Sequence, residues 1–548
     1  MKLRILKRKN ANFIFTILIA ASLFSCSETV QKRPNIVLIV ADDLGYADIG
    51  AYGGDIHTPN IDMLASKGVK FSSFHTAPMC SPTRSMLLSG NDNHIAGIGW
   101  QARVSKVFGY EGMLTDRIIP VPALLKTAGY HTYMTGKWHL GTTKEANPHQ
   151  KGFEHSFVLI SGAGNHYRNQ GVLGQKNSMY TEDGEKTTWT DGNYSTDFYT
   201  DKMIEYIDGN LKDENPFFSF LAYTSPHWPL QVDKKHWEKY KGRYNDGYEK
   251  LKERRFESLK KAGLIAQNAK LPISHKVIKP WDSLSKEQQL KEARKMELYA
   301  GMVDNLDYNI GRLIKHLKSI GEYKNTLIVF MSDNGAAAGA GFIAQSNKAG
   351  DALRDYYDND YENMGNYNSY NSYGPQWAEA GSSPFRYFKK FATQGGISAP
   401  MIISGPGIQK QNEIHHGFTT LMDLAPTFYE LAEVTYPEKY NEKPVYPLKG
   451  TSLMPFLSNT SKEIHTSDYV FGLEHRGYAM IRKGKWKITS SIIPFNPDNF
   501  ELFDLSTDIG EQNNLRETAP KKYAELLNEW STFSKEIQLK PTTKASEE

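Results

Sequence analysis

Four short apolar runs stand out along the chain, and each of them stops abruptly at polar side chains. They fall within residues 35–45, 131–141, 216–230 and 325–336. Continuous apolar runs, in contrast to alternating ones, are typical of strands that are covered on both faces of a sheet. The pattern therefore predicts four buried strands with polar residues at their carboxyl ends.

Helical patterns lie between these strands. Residues 119–130 form a short apolar helix that a glycine ends, and residues 296–323 repeat apolar positions at helical spacing. Strands that alternate with helices predict an α/β fold with a large, mostly parallel sheet flanked by helices. Ligands of such sheets bind beyond the carboxyl ends of the strands, which is where the four polar clusters are expected.

The pattern changes after residues 450–457. Residues 469–491 predict antiparallel strands joined by a Lys-Gly turn, residues 500–506 predict another strand, and residues 519–538 predict a closing amphipathic helix. We therefore expect a main domain over 34–457 and a small C-terminal α+β subdomain with an antiparallel sheet over 458–548.

Two polar segments interrupt the main domain. Residues 241–296 mix Lys, Arg and Glu, which favours a solvated helix over a nucleic-acid surface because acidic residues interleave the basic ones. Residues 355–375 are rich in Tyr and Asn and predict a long surface loop that forms no core. That loop is either a sugar-binding surface with stacking faces or a disordered insertion.

The first 25 residues predict an export signal of the lipoprotein type. A basic start precedes an apolar run over 11–25, which is too short to span a bilayer comfortably. It ends in Leu-Phe-Ser-Cys26, which resembles a bacterial lipobox; an ordinary cleaved leader with an incidental cysteine is the alternative. We expect a linker over 26–33 and a membrane contact only through a lipid on Cys26. The expected location of the protein is the periplasm or the outer membrane of a Gram-negative bacterium.

Removal of this leader changes the charge balance. Residues 1–25 hold five of the 65 Lys and Arg residues and none of the 61 Asp and Glu residues, so 60 basic residues remain against 61 acidic ones. A nearly neutral chain gives no indication of a nucleic-acid partner. The chain has two cysteines, and a lipidated Cys26 would leave Cys80 as a single thiol, either reactive or buried and inert.

Polar side chains at the strand ends predict a metal site. Asp42 and Asp43 follow the first strand, and Asp333 and Asn334 follow the last. Either pair alone could be a turn or a helix cap, but four such groups close together would repel one another without a hard cation. Ligands that are all oxygen indicate Ca²⁺ or Mg²⁺.

Cationic and protonatable groups are expected at the same edge, where they would suit a tetrahedral anion. A helix that starts near Pro82 would add its positive N-terminal end beside Cys80. Each group taken singly is ordinary; the set consists of Lys137, His139, His227 and Lys389.

The segment Cys80-Ser81-Pro82-Thr83-Arg84 resembles the C-x-P-S/T/A-R signature of type I sulfatases, a family of the alkaline phosphatase superfamily. In that family the cysteine is oxidised to formylglycine (3-oxoalanine). The resemblance covers about residues 34–540 and is nearest to the bacterial arylsulfatase branch, which shares the segments at 90–99 and 244–265. Gln394 departs from it, since many members have Glu there. The other shared motifs follow in the family's order, at 42–45, 136–139, 225–229, 333–335 and 383–400.

The resemblance implies an alkaline-phosphatase-like fold and hydrolysis of sulfate monoesters, on sulfated saccharides or aryl sulfates. It implies that a maturation enzyme converts Cys80 and that Arg84 orients the product. It also implies the roles of two residue sets. One Ca²⁺ would be held by Asp42, Asp43, Asp333, Asn334 and the modified Cys80. Sulfate would be bound by Lys137, His139, His227 and Lys389. Of these, His227 or Lys389 would protonate the leaving alcohol, and His139 would accept the proton whose loss expels sulfate.

Two other functions remain open at this point. A phosphate or phosphonate ester hydrolase of the same superfamily would use the same kind of site. A non-catalytic lipoprotein that binds sulfated glycans would not need Cys80 within this motif.

Overall fold

A mixed ten-stranded sheet lies at the centre of the structure, which is a computed structural model. It describes residues 32–101, 104–172, 177–189, 192–213, 215–339 and 357–540; the predicted leader, Cys26 and most of the linker lie outside the described residues. The strands are β1 Asn35–Ala41, β2 Val69–Phe71, β3 Phe74–His75, β4 His131–Lys137, β5 His155–Leu159, β6 Tyr180–Glu182, β7 Glu185–Thr187, β8 Phe217–Ala222, β9 Thr326–Ser332, β10 Met401–Ser404, β11 Glu413–His415, β12 Thr419–Thr420, β13 Lys439–Tyr440, β14 Lys443–Pro444, β15 Val470–His475, β16 Tyr478–Lys483, β17 Trp486–Ser490 and β18 Glu501–Asp504.

The order of the strands in the large sheet is β11-β2-β10-β9-β1-β8-β4-β5-β6-β7. The five strands from β9 to β5 are parallel, and β10, β6 and β7 introduce the antiparallel pairs. Every residue of β1 is buried, as expected for a central strand that is covered on both faces. The four predicted strands are β1, β4, β8 and β9, and the predicted fold class is confirmed.

Thirteen α-helical segments lie within the described residues. Most are short, and the longest is capped by Ser285, whose hydroxyl and Gln288 form a capping box. That cap starts the helix ten residues before the predicted segment. The helices are α1 Pro59–Ser66, α2 Cys80–Ser89, α3 Asn93–Ala96, α4 Val121–Thr127, α5 Ser195–Gly209, α6 Lys234–Trp237, α7 Tyr248–Lys261, α8 Lys286–Ser319, α9 Gly374–Gly381, α10 Gln394–Ile397, α11 Leu424–Leu431, α12 Met454–Leu457 and α13 Pro520–Glu536.

Two groups of helices flank the sheet. The long helix α8 packs with α1, α5 and α6, and α2 packs with α3, α4 and α11. None of the described helices combines the length and apolar character needed to cross a membrane.

The C-terminal part forms a separate four-stranded antiparallel sheet, β15-β16-β17-β18, against which α13 packs. Ile481, Leu502 and Trp530 belong to its own apolar core, while Phe471 and Met480 join the core of the main body. The predicted antiparallel subdomain is confirmed. Its boundary between residues 457 and 458 stays a prediction, and everything from Pro34 onward forms one compact unit.

Two sequence-based expectations need correction. The segment at 241–296 is not one solvated helix: α7 ends at Lys261, and its Lys252 and Arg255 are buried. The described part of the Tyr/Asn-rich loop, 357–373, contains no helix or strand, but Met364 and Tyr373 belong to the main core. Several of its aromatic side chains are buried because they pack against other elements, which composition alone does not indicate.

A buried histidine links the main body to the C-terminal sheet. His94 in α3 is inaccessible to solvent, and its Nδ1 and Nε2 lie 3.2 Å from Asp92 and 3.0 Å from Glu474. A carboxylate only accepts hydrogen bonds, so both ring nitrogens must donate and the ring carries a proton. Burial alone would lower the pKa of His94, but these two hydrogen bonds raise it from 6.5 to about 9.

We expect His94 to make the stability of the protein fall in mildly alkaline solution. Since its folded-state pKa is raised, its contribution is complete below about pH 6.5 and is lost as the pH rises through about 9; the shift corresponds to roughly 3 kcal/mol. Urea unfolding of the wild type and His94→Gln at pH 6 and pH 10 measures this. The difference in unfolding free energy between the wild type and His94→Gln should shrink by roughly 3 kcal/mol from pH 6 to pH 10. A difference that does not change with pH would contradict the raised pKa of His94.

Candidate active site

The sheet brings the predicted residues together at the carboxyl ends of four neighbouring strands. Asp42 follows β1, Asp333 follows β9, Lys137 ends β4, and His227 lies five residues beyond β8. Cys80 is the first residue of α2, so it lies at the positive end of a ten-residue helix. Apart from His139, which is partly buried, all the predicted site residues are buried.

The acidic side of the site contains oxygen atoms without hydrogen-bond partners. Asp43 has a left-handed backbone (φ 69°), and its N–H donates to Asp333 Oδ1 at 3.1 Å. Asn334 Nδ2 donates to Asp43 Oδ1 at 2.7 Å. Among the described residues, Asp43 Oδ2 and Asn334 Oδ1 are buried and find no hydrogen-bond donor. Buried oxygens without donors are expected where a hard cation binds.

Four side chains could converge on one metal ion. Asp42, Asp43, Cys80 and His227 each place one ligand atom within 4.8 Å of the others. Asp333 is not one of these four, and its Oδ2 accepts a hydrogen bond from Arg84 at 3.0 Å. Two of these four ligand atoms are carboxylate oxygens, which suit a hard divalent cation, and the other two are the thiol sulfur of Cys80 and an imidazole nitrogen of His227.

Three cations balance the three carboxylates. Lys137 Nζ lies 2.7 and 2.9 Å from the oxygens of Asp42, and Lys389 Nζ donates to Asp43 and, at 3.0 Å, to Cys80 Sγ. Arg84 also donates to the carbonyl oxygen of Lys137 at 2.8 Å. The position of Cys80 is therefore enclosed by positive groups and the helix N-terminus.

The two histidines are neutral. His227 Nδ1 donates to the carbonyl oxygen of Trp228 at 2.6 Å, and its Nε2 lies 3.5 Å from Asp43 Oδ2. Burial lowers the pKa of His227 well below 6.5, and Asp43 only partly opposes this. Burial and then the charge of Lys137 likewise lower the pKa of His139. Both imidazoles can therefore accept a proton.

Ser81 and Gly162 hold His139 in place. His139 has a left-handed backbone (φ 57°), and its carbonyl oxygen accepts a hydrogen bond from Ser81 Oγ at 2.8 Å. A Cβ atom at position 162 would lie 2.6 Å from His139 Cε1, so only glycine leaves room for the ring there. His139 Nδ1 finds no partner among the described residues, and it remains available to a ligand.

Burial and nearby cations compete in setting the pKa values of Asp42, Asp43 and Cys80. Burial raises the pKa of Asp42 to about 7 although Lys137 opposes it. Burial would also raise that of Asp43, but the charge and hydrogen bond of Lys389 hold it at about 2. For Cys80, burial raises the pKa to about 11 despite the nearby lysines. Catalytic thiolates have lowered pKa values, so an unmodified Cys80 is unsuited to act as the nucleophile.

A buried network that the sequence did not reveal supports the loop that follows β1. Asp48 Oδ2 accepts hydrogen bonds from Gly45 N–H at 2.7 Å and from Tyr299 OH at 2.6 Å. Its other oxygen lies 2.5 Å from Arg255 Nη1, and Arg255 also binds Asp55. The run of charged residues around Arg255 was the available signal, but it indicated a solvated surface.

A small pocket opens beside Asp43 and His227. Its wall includes Trp228, Tyr299 and Tyr373, none of which was predicted as a site residue. The motif around Trp228 and the aromatic loop were the signals that could have identified them.

The comparisons with known proteins agree with this geometry. Residues 34–434 match the family model described as Sulfatase, and residues 384–538 match that of the N-sulphoglucosamine sulphohydrolase C-terminal region. An uncharacterized sulfatase of Schizosaccharomyces pombe is 42% identical over 524 residues, which cover 92% of this chain and 94% of the relative. The arylsulfatase of Klebsiella aerogenes is 40% identical over 430 residues, covering 77% and 92%.

A solved structure shares the fold. Ps i-CgsB in complex with k-i-k-neocarrahexaose matches with a TM-score of 0.66 and 25% identity, over 93% of this chain and 94% of that chain. The family model covers most of the chain and two relatives exceed 30% identity, so the chain belongs to the sulfatase family and is a hydrolase of sulfuric esters.

Proposed function

We propose that this sulfatase removes sulfate from sulfated saccharides, with formylglycine at position 80 and one bound Ca²⁺. The convergence at Cys80 carries the proposal. Cys80 starts a helix and lies among three cations and the unpaired oxygens of Asp43 and Asn334. Burial raises the pKa of its thiol, which therefore stays protonated. That environment suits an oxygen nucleophile and a sulfate ester.

Asp42, Asp43, Asp333 and Asn334 would hold the cation, together with the modified residue 80. Oxygen ligands of this kind suit Ca²⁺, and the two unpaired oxygens of Asp43 and Asn334 are available for it. Bound Ca²⁺ would supply positive charge for the sulfate oxygens and for a deprotonated nucleophile.

Formylglycine, as its hydrate, would supply two hydroxyls on one carbon, one to attack sulfur and one to release the sulfate. Arg84 supports that position: its guanidinium joins Asp333 to the carbonyl oxygen of Lys137, which fixes the end of β4 against the metal-binding loop. The N-terminus of α2 stabilises negative charge at residue 80.

The remaining residues would bind sulfate and move protons. Lys137 and Lys389 are cations close to the nucleophile position, and Asp43 and Cys80 raise the pKa of Lys389 although burial lowers it, so it stays charged. A charged Lys389 can donate a proton to the departing alcohol, and His139, neutral with an available Nδ1, can accept one from the nucleophile.

Two observations support a saccharide substrate. The neighbour Ps i-CgsB was solved with a neocarrahexaose. In this chain the partly exposed Trp228 lines the pocket at the site, and the buried Tyr370 packs against it with ring centroids 5.7 Å apart. Aromatic side chains at a site entrance can hold the apolar face of a sugar ring.

An exported lipoprotein would meet such substrates outside the cell. The basic and apolar leader and the lipobox-like Cys26 support export and a lipid anchor, and a maturation enzyme acting on Cys80 completes the proposal. Cleavage of residues 1–25 with a diacylglyceryl group on Cys26 is what mass spectrometry of the native N-terminus should find.

A panel of substrates tests the proposed specificity. We expect sulfated mono- and oligosaccharides to exceed nitrophenyl sulfate in kcat/KM by about tenfold or more, since remote contacts add binding in the transition state. The panel also includes a nitrophenyl phosphate and a phosphonate monoester. If every saccharide ranks below the aryl sulfate, the saccharide assignment is wrong; if a phosphorus ester ranks first, the protein is a phosphoryl hydrolase.

A further inference from the structure

A second, larger cleft lies at the same edge of the sheet as the active site. Strands β2 and β11 run parallel to β1, because β10 between β9 and β2 is reversed. The residues that follow β2 and β11 therefore lie at the carboxyl edge, and they line a cleft of about 1040 Å³ together with residues 462–469 and part of β16. Clefts of this size accommodate ligands much larger than a sulfate ion.

Arg482 of β16 lines this cleft and forms no ion pair with a carboxylate of the described residues; Glu463, which also lines the cleft, is exposed. It is partly buried, its Nε donates to the carbonyl oxygen of Gly484 at 3.0 Å, and its Nη1 donates to His75 at 3.1 Å. No carboxylate of the described residues lies within 4.0 Å of its guanidinium, unlike Arg84 and Arg255. Burial lowers the pKa of Arg482 to about 10. A guanidinium removed from water without an anion is costly, and an anionic ligand would offset that cost.

Gln394 and Arg482 both contact His75. His75 Nε2, which accepts a hydrogen bond from Arg482, also lies 2.9 Å from the carboxamide group of Gln394. Glutamine adds no negative charge, so Arg482 keeps no carboxylate partner among the described residues.

Aromatic faces complete the cleft. The Arg482 guanidinium lies 4.4 Å from the ring centroid of Phe418, and both Phe418 and Tyr469 line the cleft with partly exposed rings. A cation next to aromatic faces suits a sugar that carries an anionic group. His75, which lines the cleft, precedes Cys80 by five residues, so its Cα lies no more than roughly 18 Å from that of Cys80.

We infer that this cleft binds a second sulfated segment of a saccharide chain, with Arg482 pairing with its sulfate group. The inference rests on the proposed saccharide function and extends it from one scissile sulfate to recognition of a multiply sulfated chain. A free sulfate ion shares the anion chemistry, but it would leave the aromatic faces and most of the cleft volume unused.

Calorimetric titration with sucrose octasulfate tests the cleft, using the wild type, Arg482→Gln, Gln394→Glu and Lys483→Gln. Lys483 is the matched control: it neighbours Arg482 on β16, points to the other face, and pairs with Glu529 at 2.8 Å. We expect Arg482→Gln to weaken binding by about tenfold or more, the effect of one hydrogen-bonded charge. Gln394→Glu should weaken binding in the same direction, and Lys483→Gln should leave it within about twofold.

Thermal unfolding separates binding from a structural role. Without ligand, Arg482→Gln should melt no lower than the wild type, because the substitution removes an unpaired charge. An unchanged Kd in Arg482→Gln, with or without a fall in Tm, would overturn the inference.

Inorganic sulfate and hydrolysis assays distinguish the remaining outcomes. If sulfate alone binds as tightly as sucrose octasulfate and depends equally on Arg482, the cleft is a site for free sulfate and the saccharide assignment is wrong. Wild-type hydrolysis of nitrophenyl sulfate measures the sulfatase activity separately from the cleft. If no saccharide is hydrolysed, the proposed substrate fails, while the titration still decides whether Arg482 binds the anionic sugar.

Discussion

Cys80→Ser should abolish multiple turnover and retain sulfate on the protein. The introduced serine hydroxyl occupies the same position at the start of α2 and can attack sulfur once, releasing the alcohol and forming a sulfate ester. It has no second hydroxyl on the same carbon to expel the sulfate. We expect at most one alcohol released per chain and a fall in steady-state kcat on the order of 10³-fold or more.

Mass spectrometry measures both halves of this prediction. The peptide that contains residue 80 should gain one SO₃ in the serine variant after exposure to nitrophenyl sulfate, and it should carry formylglycine in the matured wild type. Ser85→Ala is the matched control, since Ser85 is buried in the same helix and its hydroxyl donates to the carbonyl oxygen of Pro82 at 2.8 Å. Wild-type turnover by Cys80→Ser would falsify the two-hydroxyl mechanism, and an intact thiol in fully active enzyme would exclude formylglycine.

The elements that could be predicted from the sequence are those whose signal is local. Unbroken apolar runs marked β1, β4, β8 and β9, because a strand buried on both faces needs apolar residues at every position. The topology of a parallel sheet then placed their polar ends at one edge. Asp43 and Asn334 could be predicted as neighbours for that reason, although 291 positions separate them along the chain.

The features that escaped prediction depend on partners distant in the sequence. Arg255 contacts Asp48, 207 residues away, and nothing in the charged composition of α7 shows which of its cations face inward. Tyr373 stacks on Tyr299 of α8 with ring centroids 4.4 Å apart, so part of a Tyr-rich loop is buried. Arg482 escaped prediction because what distinguishes it is an absence. No carboxylate of the described residues pairs with it, and a sequence does not show which cations remain without such a partner.

A second large effect is expected at the metal site. Asp333→Asn keeps the shape and one acceptor oxygen of the side chain but removes one negative charge. The structure has three carboxylates (Asp42, Asp43 and Asp333) opposite three cations (Arg84, Lys137 and Lys389). Loss of one carboxylate leaves an excess positive charge before any cation binds. Ca²⁺ affinity should therefore fall by about 10²-fold or more, and activity should fall with it.

Elemental analysis and thermal unfolding with added Ca²⁺ measure that loss. Wild-type protein should bind one Ca²⁺ per chain and gain Tm as Ca²⁺ is added to metal-free protein, because a ligand that binds only the folded state stabilises it. Asp333→Asn should show neither effect. Asp304→Asn is the control for a buried acid outside the site, where the carboxylate binds His236 and Tyr240, and it should still bind one Ca²⁺. Full activity in metal-free wild type would exclude a catalytic cation, whereas normal metal binding by Asp333→Asn would show that Asp333 serves only to hold Arg84.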